Sequence, residues 1–326
     1  MQIGFFKRRG GERYLTVAAL FGAVFGAVFW AVAWAVVGGA SGVLYAEPSA
    51  QLKRLQVNIE RITRSLNADW GIYMKCLETG EEIAINADQP MDTMSVIKIP
   101  LMVEAFRQME AGRFALTDRV VIKESDMRPG TGVLRSLDPG ASVTIKDLLM
   151  LMIIVSDNTA TDLMYEKVGG PEAVNQAMQS LGLKTIKATG TGDTWFKALR
   201  AAPSAEQFHR EGKTPFGLAS PREIGKLLEM MERGEAVSKS ASALMLDMLR
   251  RQVYSSRLPK YVTGFRVGHK TGDFLPYIGN DVGVLESTDR KVILSVFTAH
   301  HYGLGPQLED AIGRIAEQVS NYYGYR

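Results

Sequence analysis

Apolar residues recur with a helical period at both ends of the region that follows residue 50. Side chains three or four positions apart predict an amphipathic helix near residues 51–66, and the same spacing predicts another over 306–323. The apolar face of the first helix is formed by Leu55, Ile59, Ile62 and Leu66.

Strand-like patterns lie next to each of these helices. Residues 70–78 and 81–88 are short alternating runs, and the Thr79-Gly80 pair between them predicts a hairpin turn. Three more alternating runs precede the final helix, at 265–272, 281–286 and 291–299.

Between these two groups of strands, residues 95–255 are dominated by helical patterns. The run LLMLMIIV at 148–155 is apolar on every side of a helix, so we expect it to be buried. Separate blocks of strand and helix favour the α+β class. We therefore predict an antiparallel β-sheet flanked by terminal helices, with a large all-helical insertion.

The first fifty residues differ in composition from the rest. Residues 15–37 carry no charge, and 23 residues at about 1.5 Å each cross a hydrocarbon core of about 30 Å. We expect a basic cytoplasmic tail at 1–14, one transmembrane helix at 15–37 and a linker at 38–50, followed by a folded domain at 51–326. The basic flank predicts that this domain lies outside the cytoplasmic membrane.

A cleaved signal peptide is the alternative interpretation of this segment. The small residues Gly38 and Ala40 could occupy the cleavage positions, although the apolar stretch is longer than a usual signal sequence. The domain would then be secreted. Both interpretations place it outside the cytoplasmic membrane.

Charge and cysteine content exclude several classes of protein. The first fourteen residues carry a net charge of +3, and the rest of the chain has 34 basic and 34 acidic side chains, which gives no reason to expect a nucleic-acid partner. The single cysteine, Cys76, excludes an internal disulfide and is expected to be a buried strand residue. The four histidines lack metal-ligand spacing, so we predict no metal site and no cofactor.

Three short motifs carry the candidate chemistry. Ser95 opens an apolar helical segment and Lys98 follows on the same face, where a lysine of lowered pKa can take the proton of the serine hydroxyl. Lys270 would supply a positive charge that lowers that pKa. The motifs are, in order, Ser95-Val96-Ile97-Lys98, Ser156-Asp157-Asn158 and Lys270-Thr271-Gly272.

The other motif residues fit the same chemistry. Ser156 and Asn158 follow the buried run and present a hydroxyl and an amide, which relay a proton and orient a substrate amide. Lys270 and Thr271 would bind a substrate carboxylate, and Gly272 would leave room for the substrate. His269 is expected to pack within its strand.

These motifs in this order resemble the penicillin-recognising serine enzymes, above all the class A β-lactamases. The segments SDNTATDLMYEKVGGPEAV, GTGVL at 130–134 and HKTG extend the likeness, which covers about residues 51–326. The resemblance implies that Ser95 is acylated with Lys98 as base. It also implies that the N–H groups of Ser95 and Asp273 form an oxyanion hole and that Ser156 shuttles a proton. Asn158 would orient Lys98 and the substrate, and Lys270 with Thr271 would anchor its carboxylate.

The chain departs from this family in one loop. Hydrolytic class A enzymes carry a Glu-x-x-Leu-Asn motif between the second and third motifs, and its glutamate activates the deacylating water. The nearest counterpart here, residues 195–200, places Phe196 and Arg200 where the Glu and Asn belong. Glu206 and Glu211 are the available carboxylates, although an isolated glutamate is usually a solvated loop charge.

The expected function is that of a β-lactamase-like serine hydrolase in a bacterium, held in the cytoplasmic membrane by its N-terminal helix. Its small-molecule substrate would be a β-lactam, whose cyclic amide acylates Ser95 and is then hydrolysed. The missing glutamate leaves two alternatives open. The chain could be a cell-wall peptidase or penicillin-binding protein that acts on D-alanyl peptides and deacylates slowly, or a non-catalytic wall-binding module.

Overall fold

The computed structural model describes residues 49–213 and 215–324. One sheet of five strands dominates it, in the order β2-β1-β10-β9-β8, and each neighbouring pair is antiparallel. The predicted hairpin and the three later strands are therefore confirmed. The strands are β1 Asp69–Cys76, β2 Glu82–Ile85, β3 Met91–Asp92, β4 Arg119–Val121, β5 Ser142–Thr144, β6 Lys187–Ala188, β7 Gly217–Ala219, β8 Arg266–Phe274, β9 Ile278–Glu286 and β10 Lys291–Ala299.

The α-helices fall into the two predicted groups, with one at each end of the domain and the others between β2 and β8. Helix α1 begins at Ala50, after Ser49, whose side chain accepts a hydrogen bond from the N–H of Leu52. The helices are α1 Ala50–Arg64, α2 Lys98–Glu110, α3 Ile145–Ile154, α4 Asn158–Val168, α5 Pro171–Ser180, α6 Gly192–Ala201, α7 Ala205–Glu211, α8 Pro221–Arg233, α9 Lys239–Arg250 and α10 Gly305–Gly324.

The central sheet has an apolar layer on each face, because successive side chains of a strand point to opposite sides. In β10, Val292, Leu294 and Val296 pack with the terminal helices, while Ile293 and Phe297 belong to the core shared with the insertion. The predicted arrangement of a sheet flanked by both terminal helices is confirmed, and Cys76 is a buried strand residue as expected.

The expectation of an all-helical insertion was wrong in detail. Strands β4 and β5 pair with each other, and β3, β7 and β6 form a second small sheet. These strands are only two or three residues long, which is too short to leave a two-residue period in the sequence. The small sheet matters for the site, because β3 lies just before Ser95.

The predicted tail and transmembrane helix, at 1–14 and 15–37, lie outside the described residues, as does all but the last part of the linker at 38–50. Among the described helices, none combines the length and the apolar character needed to cross a membrane.

Candidate active site

Ser95 lies in a 3₁₀ turn, Met94–Ile97, that leads directly into α2. The predicted position at the start of a helix is therefore confirmed, with a tighter first turn. Met94 has a φ of +44°, and this left-handed conformation strains a residue that carries a side chain. The turn is held from outside by neighbouring segments, including the carbonyl of Gly217, which accepts a 2.9 Å hydrogen bond from the N–H of Thr93.

Lys98 is completely buried beside this turn. Its Nζ lies within hydrogen-bond distance of three oxygen atoms: the Ser156 carbonyl at 2.7 Å, the Ser156 Oγ at 3.0 Å and the Asn158 Oδ1 at 2.9 Å. Burial lowers the pKa of Lys98 well below its usual value, and the positive charge of Lys270 lowers it further. The prediction that Lys270 influences the lysine of the first motif agrees with this electrostatic arrangement.

The second motif reaches Lys98 because the chain bends sharply after α3. Ser156 has a φ of +54°, which directs its carbonyl toward Lys98 Nζ and toward the Thr131 hydroxyl, a 2.7 Å donor. Asn158 is the first residue of α4, and its Nδ2 donates to the Pro129 carbonyl at 3.0 Å. The two side chains therefore both contact the same buried amine.

Asp157, between them, organises the loop in front of the site. Its carboxylate caps α4 through the N–H of Ala160 and accepts the N–H groups of Val133 and Leu134 at 2.7 and 2.9 Å. A Cβ on Gly132 would lie 2.3 Å from the Asp157 carboxyl carbon, so only glycine allows this approach. Asp157 thereby fastens residues 130–134 to the second motif.

The third motif lies on β8, where Lys270 and Thr271 are both buried. Burial, together with the charge of Arg257, lowers the pKa of Lys270 to about 8, while Asp273 and Asp281 oppose the shift. Lys270 Nζ donates to the Thr271 carbonyl at 2.8 Å. The Thr271 Oγ1 is buried and makes no hydrogen bond within the part of the chain that the structure describes.

Gly272 is needed at its position for a reason that the sequence did not reveal. A Cβ there would lie 2.4 Å from the Thr93 carbonyl and 3.2 Å from Val96 Cγ2 and from the Val96 amide nitrogen. The serine turn itself therefore approaches Gly272 closely, and the predicted room for a substrate stays a prediction. The contact holds the first and third motifs against each other.

The Asp273 side chain accepts a hydrogen bond from Arg257. The Arg257 guanidinium is almost fully buried and also contacts the Asn280 carbonyl at 2.9 Å and Glu309 at 3.1 Å. The pKa of Arg257 is raised by Asp273, Asp281 and Glu309, against the effect of burial. Arg257 is therefore ion-paired with two carboxylates next to the third motif.

Residues 195–200, the counterpart of the missing Glu-x-x-Leu-Asn motif, lie in α6. Asp162 holds the start of this helix, because its carboxylate accepts the N–H groups of Gly192 and Asp193 and pairs with Arg128. A Cβ on Gly130 would lie 3.0 Å from the Phe196 ring and 2.7 Å from Asn158 Nδ2, so the lack of a side chain at Gly130 lets the apolar ring and the amide of the second motif approach the same space.

The two candidate carboxylates of this region face solvent. Glu206 pairs with Arg210, and Glu211 pairs with Lys213, with side chains 51% and 42% exposed. Both lie in α7, which follows α6. The solvated role that the sequence favoured for them is confirmed, and neither side chain contacts the buried lysine.

Several contributors to the site escaped the sequence analysis. Asp157 had a detectable signal, since an aspartate directly before a helix is a common N-cap. Asp162 and Arg257 had none, because each acts on a segment distant in sequence. His269 packs in its strand as predicted, and its Nδ1 lies 2.8 Å from the buried carboxylate of Asp281.

Comparisons with known proteins agree with this geometry. A model of the β-lactamase enzyme family matches residues 54–323. The β-lactamase VEB-1 of Pseudomonas aeruginosa is 25% identical over 291 residues, which are 84% of this chain and 92% of that protein. The crystal structure of a β-lactamase from Sphaerobacter thermophilus is 31% identical with a TM-score of 0.72, and the match covers 85% of this chain and 98% of that chain. The structure of PBP-A is 25% identical with a TM-score of 0.72, covering 86% of this chain and 99% of that chain.

Fold, motifs and relatives together define a serine hydrolase that acts on amide bonds. The chain belongs to the β-lactamase enzyme family.

Proposed function

We propose that this protein attacks β-lactams through Ser95 and hydrolyses the resulting acyl-enzyme. The observation that carries the proposal is the environment of Lys98 Nζ, which is buried and surrounded by three oxygen atoms of the second motif. Two of these are carbonyl oxygens, which only accept hydrogen bonds. A neutral amine satisfies both with its two N–H groups and keeps a lone pair for a hydroxyl proton.

Acylation would follow from this arrangement. The Ser95 Oγ attacks the lactam carbonyl carbon while Lys98 Nζ takes the hydroxyl proton. The negative charge on the carbonyl oxygen would be held by the N–H groups of Ser95 and Asp273. Ser156 then passes the proton to the ring nitrogen, the C–N bond breaks, and the acyl group remains on Ser95.

The buried groups of the third motif would bind a carboxylate of the substrate. Lys270, with a pKa of about 8, is mainly charged at neutral pH, and Thr271 offers a buried hydroxyl without a partner among the described residues. β-Lactams and peptides that end in D-alanine both carry a carboxylate, so a subsite formed by Lys270 and Thr271 would accept either class.

Slow deacylation is the second candidate behaviour, and the position of Phe196 favours it. Its ring and the Asn158 amide both lie close to Gly130, and the ring belongs to the helix that replaces the Glu-x-x-Leu-Asn segment. A phenyl ring cannot activate a water molecule. If no other group does so, the protein would accumulate as an acyl-enzyme, as expected of a penicillin-binding peptidase.

The intact mass of the full chain, followed over time after mixing with benzylpenicillin, tests the proposal. We expect an adduct that forms on the wild-type chain and decays while penicilloate accumulates, and no adduct on Ser95→Ala. A stable adduct would contradict hydrolysis of the acyl-enzyme and favour the penicillin-binding alternative. Absence of any adduct on the wild-type chain would overturn the acyl-enzyme proposal.

We also propose that residues 15–37 hold the enzyme in the bacterial cytoplasmic membrane, with the domain on the outer side. The length of the uncharged stretch and the basic residues before it support this location. Protease added to spheroplasts should degrade the domain of the full chain and spare that of a chain without residues 1–40. Full-length protein found in the cytosol would refute the proposal, whereas release of a shortened form would favour the cleaved signal peptide.

A further inference from the structure

Asp92 lies three residues before the nucleophile and shares its polar contacts between two segments. Its Oδ1 accepts the Met94 N–H at 2.9 Å, and its carboxylate accepts the Phe216 N–H at 3.2 and 3.3 Å. The nearby Gly217 N–H also favours the charged form of the carboxyl and so lowers its pKa. One carboxylate therefore joins the strained residue before Ser95 to the segment that follows α7.

The backbone of Asp92 is fixed independently of its side chain. Its carbonyl accepts the Asn280 Nδ2 at 2.8 Å, and Asn280 stands opposite Gly272 in the pairing of β8 with β9. Asp92 also pairs with Leu218 in the small sheet. A change of the carboxyl group alone therefore leaves the strand anchored and alters mainly the bonds to the serine turn.

The geometry points to Asp92 as a positioning residue for the proposed acylation: its charged carboxylate holds the Met94 N–H and keeps Ser95 aligned with Lys98. This inference rests on the proposed function. A hydrogen bond to a charged acceptor is stronger than one to a neutral acceptor, and Met94 needs it because its φ of +44° is unfavourable. Loss of the charge would let the turn relax and move the serine hydroxyl.

The Asp92 carboxyl changes its protonation state within a pH range in which the enzyme can be assayed. Burial raises its pKa to about 6, although the three backbone N–H groups oppose this shift. Asp92 also lines a cavity of about 770 Å³ through which a proton can reach it. The other ionisable groups that line this cavity are Arg64 of α1, Asp69 of β1, His209 of α7 and His300 after β10.

The sign of the effect separates positioning from simple stabilisation. An aspartate whose pKa is raised by folding destabilises the folded state above that pKa, because the unfolded chain holds the charge more easily. Replacing Asp92 by a neutral residue should therefore preserve or raise Tm at pH 7.5. It should nevertheless slow acylation, whereas loss of a merely structural residue would lower Tm as well.

The test is the second-order rate of labelling by a fluorescent penicillin, measured from pH 4.5 to 8.5 on the full chain. Asp92→Asn should react about tenfold more slowly than wild type above pH 7, and the ratio of the two rates should rise toward one below about pH 5. Ionisations shared by both proteins, such as those of Lys98 and Lys270, cancel in this ratio.

Two further variants make the result decisive. Asp92→Ser keeps a small acceptor for the Met94 N–H without a charge, and it should show the same pH-dependent ratio even if the asparagine variant folds poorly. Asp88→Asn removes an exposed carboxylate from the loop just before β3 and should match wild type at every pH. A pH-independent ratio, or wild-type rates for both Asp92 variants, would overturn the role of Asp92. An unlabelled wild-type chain would instead overturn the proposed function.

Discussion

Lys98 Nζ lies 2.7 Å from the carbonyl oxygen of Ser156 and 3.0 Å from its hydroxyl, so a single residue binds the buried amine twice. The carbonyl contact positions the lysine, and the hydroxyl contact provides a path for a proton. These two contributions can be separated, because a serine-to-alanine change removes only the hydroxyl.

We expect Ser156→Ala to fold normally and to label with a fluorescent penicillin about 100-fold more slowly, because the proton relay to the leaving nitrogen is lost. Stopped-flow or gel-based labelling rates measure the effect. Ser295→Ala is a matched control, since Ser295 is also buried and its hydroxyl has no partner within the described residues. A Ser156→Ala rate equal to that of the control would remove Ser156 from the mechanism.

The pKa of Lys270 should set the alkaline limit of acylation. Burial lowers this pKa to about 8, so the ammonium loses its proton above pH 8 and its attraction for a substrate carboxylate falls. An arginine remains charged, and Lys270→Arg should therefore move the alkaline decline of kcat/KM to a pH more than about one unit higher. A decline at the same pH in both proteins would assign the limit to another group.

The buried ammonium group of Lys270 should lower the stability of the folded protein at neutral pH. Its pKa is 10.5 in an unfolded chain and about 8 in the folded one, so the unfolded state binds more protons and the stability of the wild type rises between these values. Lys270→Met should raise Tm at pH 7 by about 2 °C or more while greatly reducing acylation. Calorimetry at pH 7 and 10 provides the check, and a lower Tm at pH 7 would contradict it.

Asp157 should be important for stability, since its carboxylate serves three backbone N–H groups at once. Asp157→Ala leaves those donors without an acceptor and should lower the free energy of unfolding by about 2–4 kcal/mol. Urea denaturation measures the change. Asp193→Ala, which removes an exposed ion pair with Lys197 at the start of α6, should change it by less than about 0.5 kcal/mol.

A carboxylate in place of Phe196 should accelerate deacylation. The Phe196 ring lies beside Gly130 and close to the Asn158 amide, in the helix that corresponds to the missing motif. Phe196→Glu should shorten the lifetime of the penicilloyl adduct by about 100-fold if a water reaches both groups. Phe196→Gln has a similar shape without a base, and equal lifetimes of the two variants would show that α6 does not present this residue to the acyl group.

Local sequence was sufficient for much of this protein. The helical period predicted both terminal helices, because each buries one regular face and the burial leaves a repeating pattern. Short apolar-alternating runs predicted the strands of the large sheet, whose central members are buried on both faces. The three motifs also identified Ser95, Lys98, Ser156, Asn158 and Lys270 as one site, and the structure brings the first four into direct contact or into the same turn.

Tertiary structure decided the contacts that join distant segments. Gly272 approaches the Thr93 carbonyl, Asp162 holds the start of α6, and Arg257 binds Asp273. None of these pairs leaves a periodic signal, since each depends on how separate elements pack. The left-handed backbone of Met94 and Ser156 has the same origin, because surrounding hydrogen bonds stabilise a conformation that neither residue favours alone. The sequence thus determined which groups the site contains, and packing determined how those groups are aligned and charged.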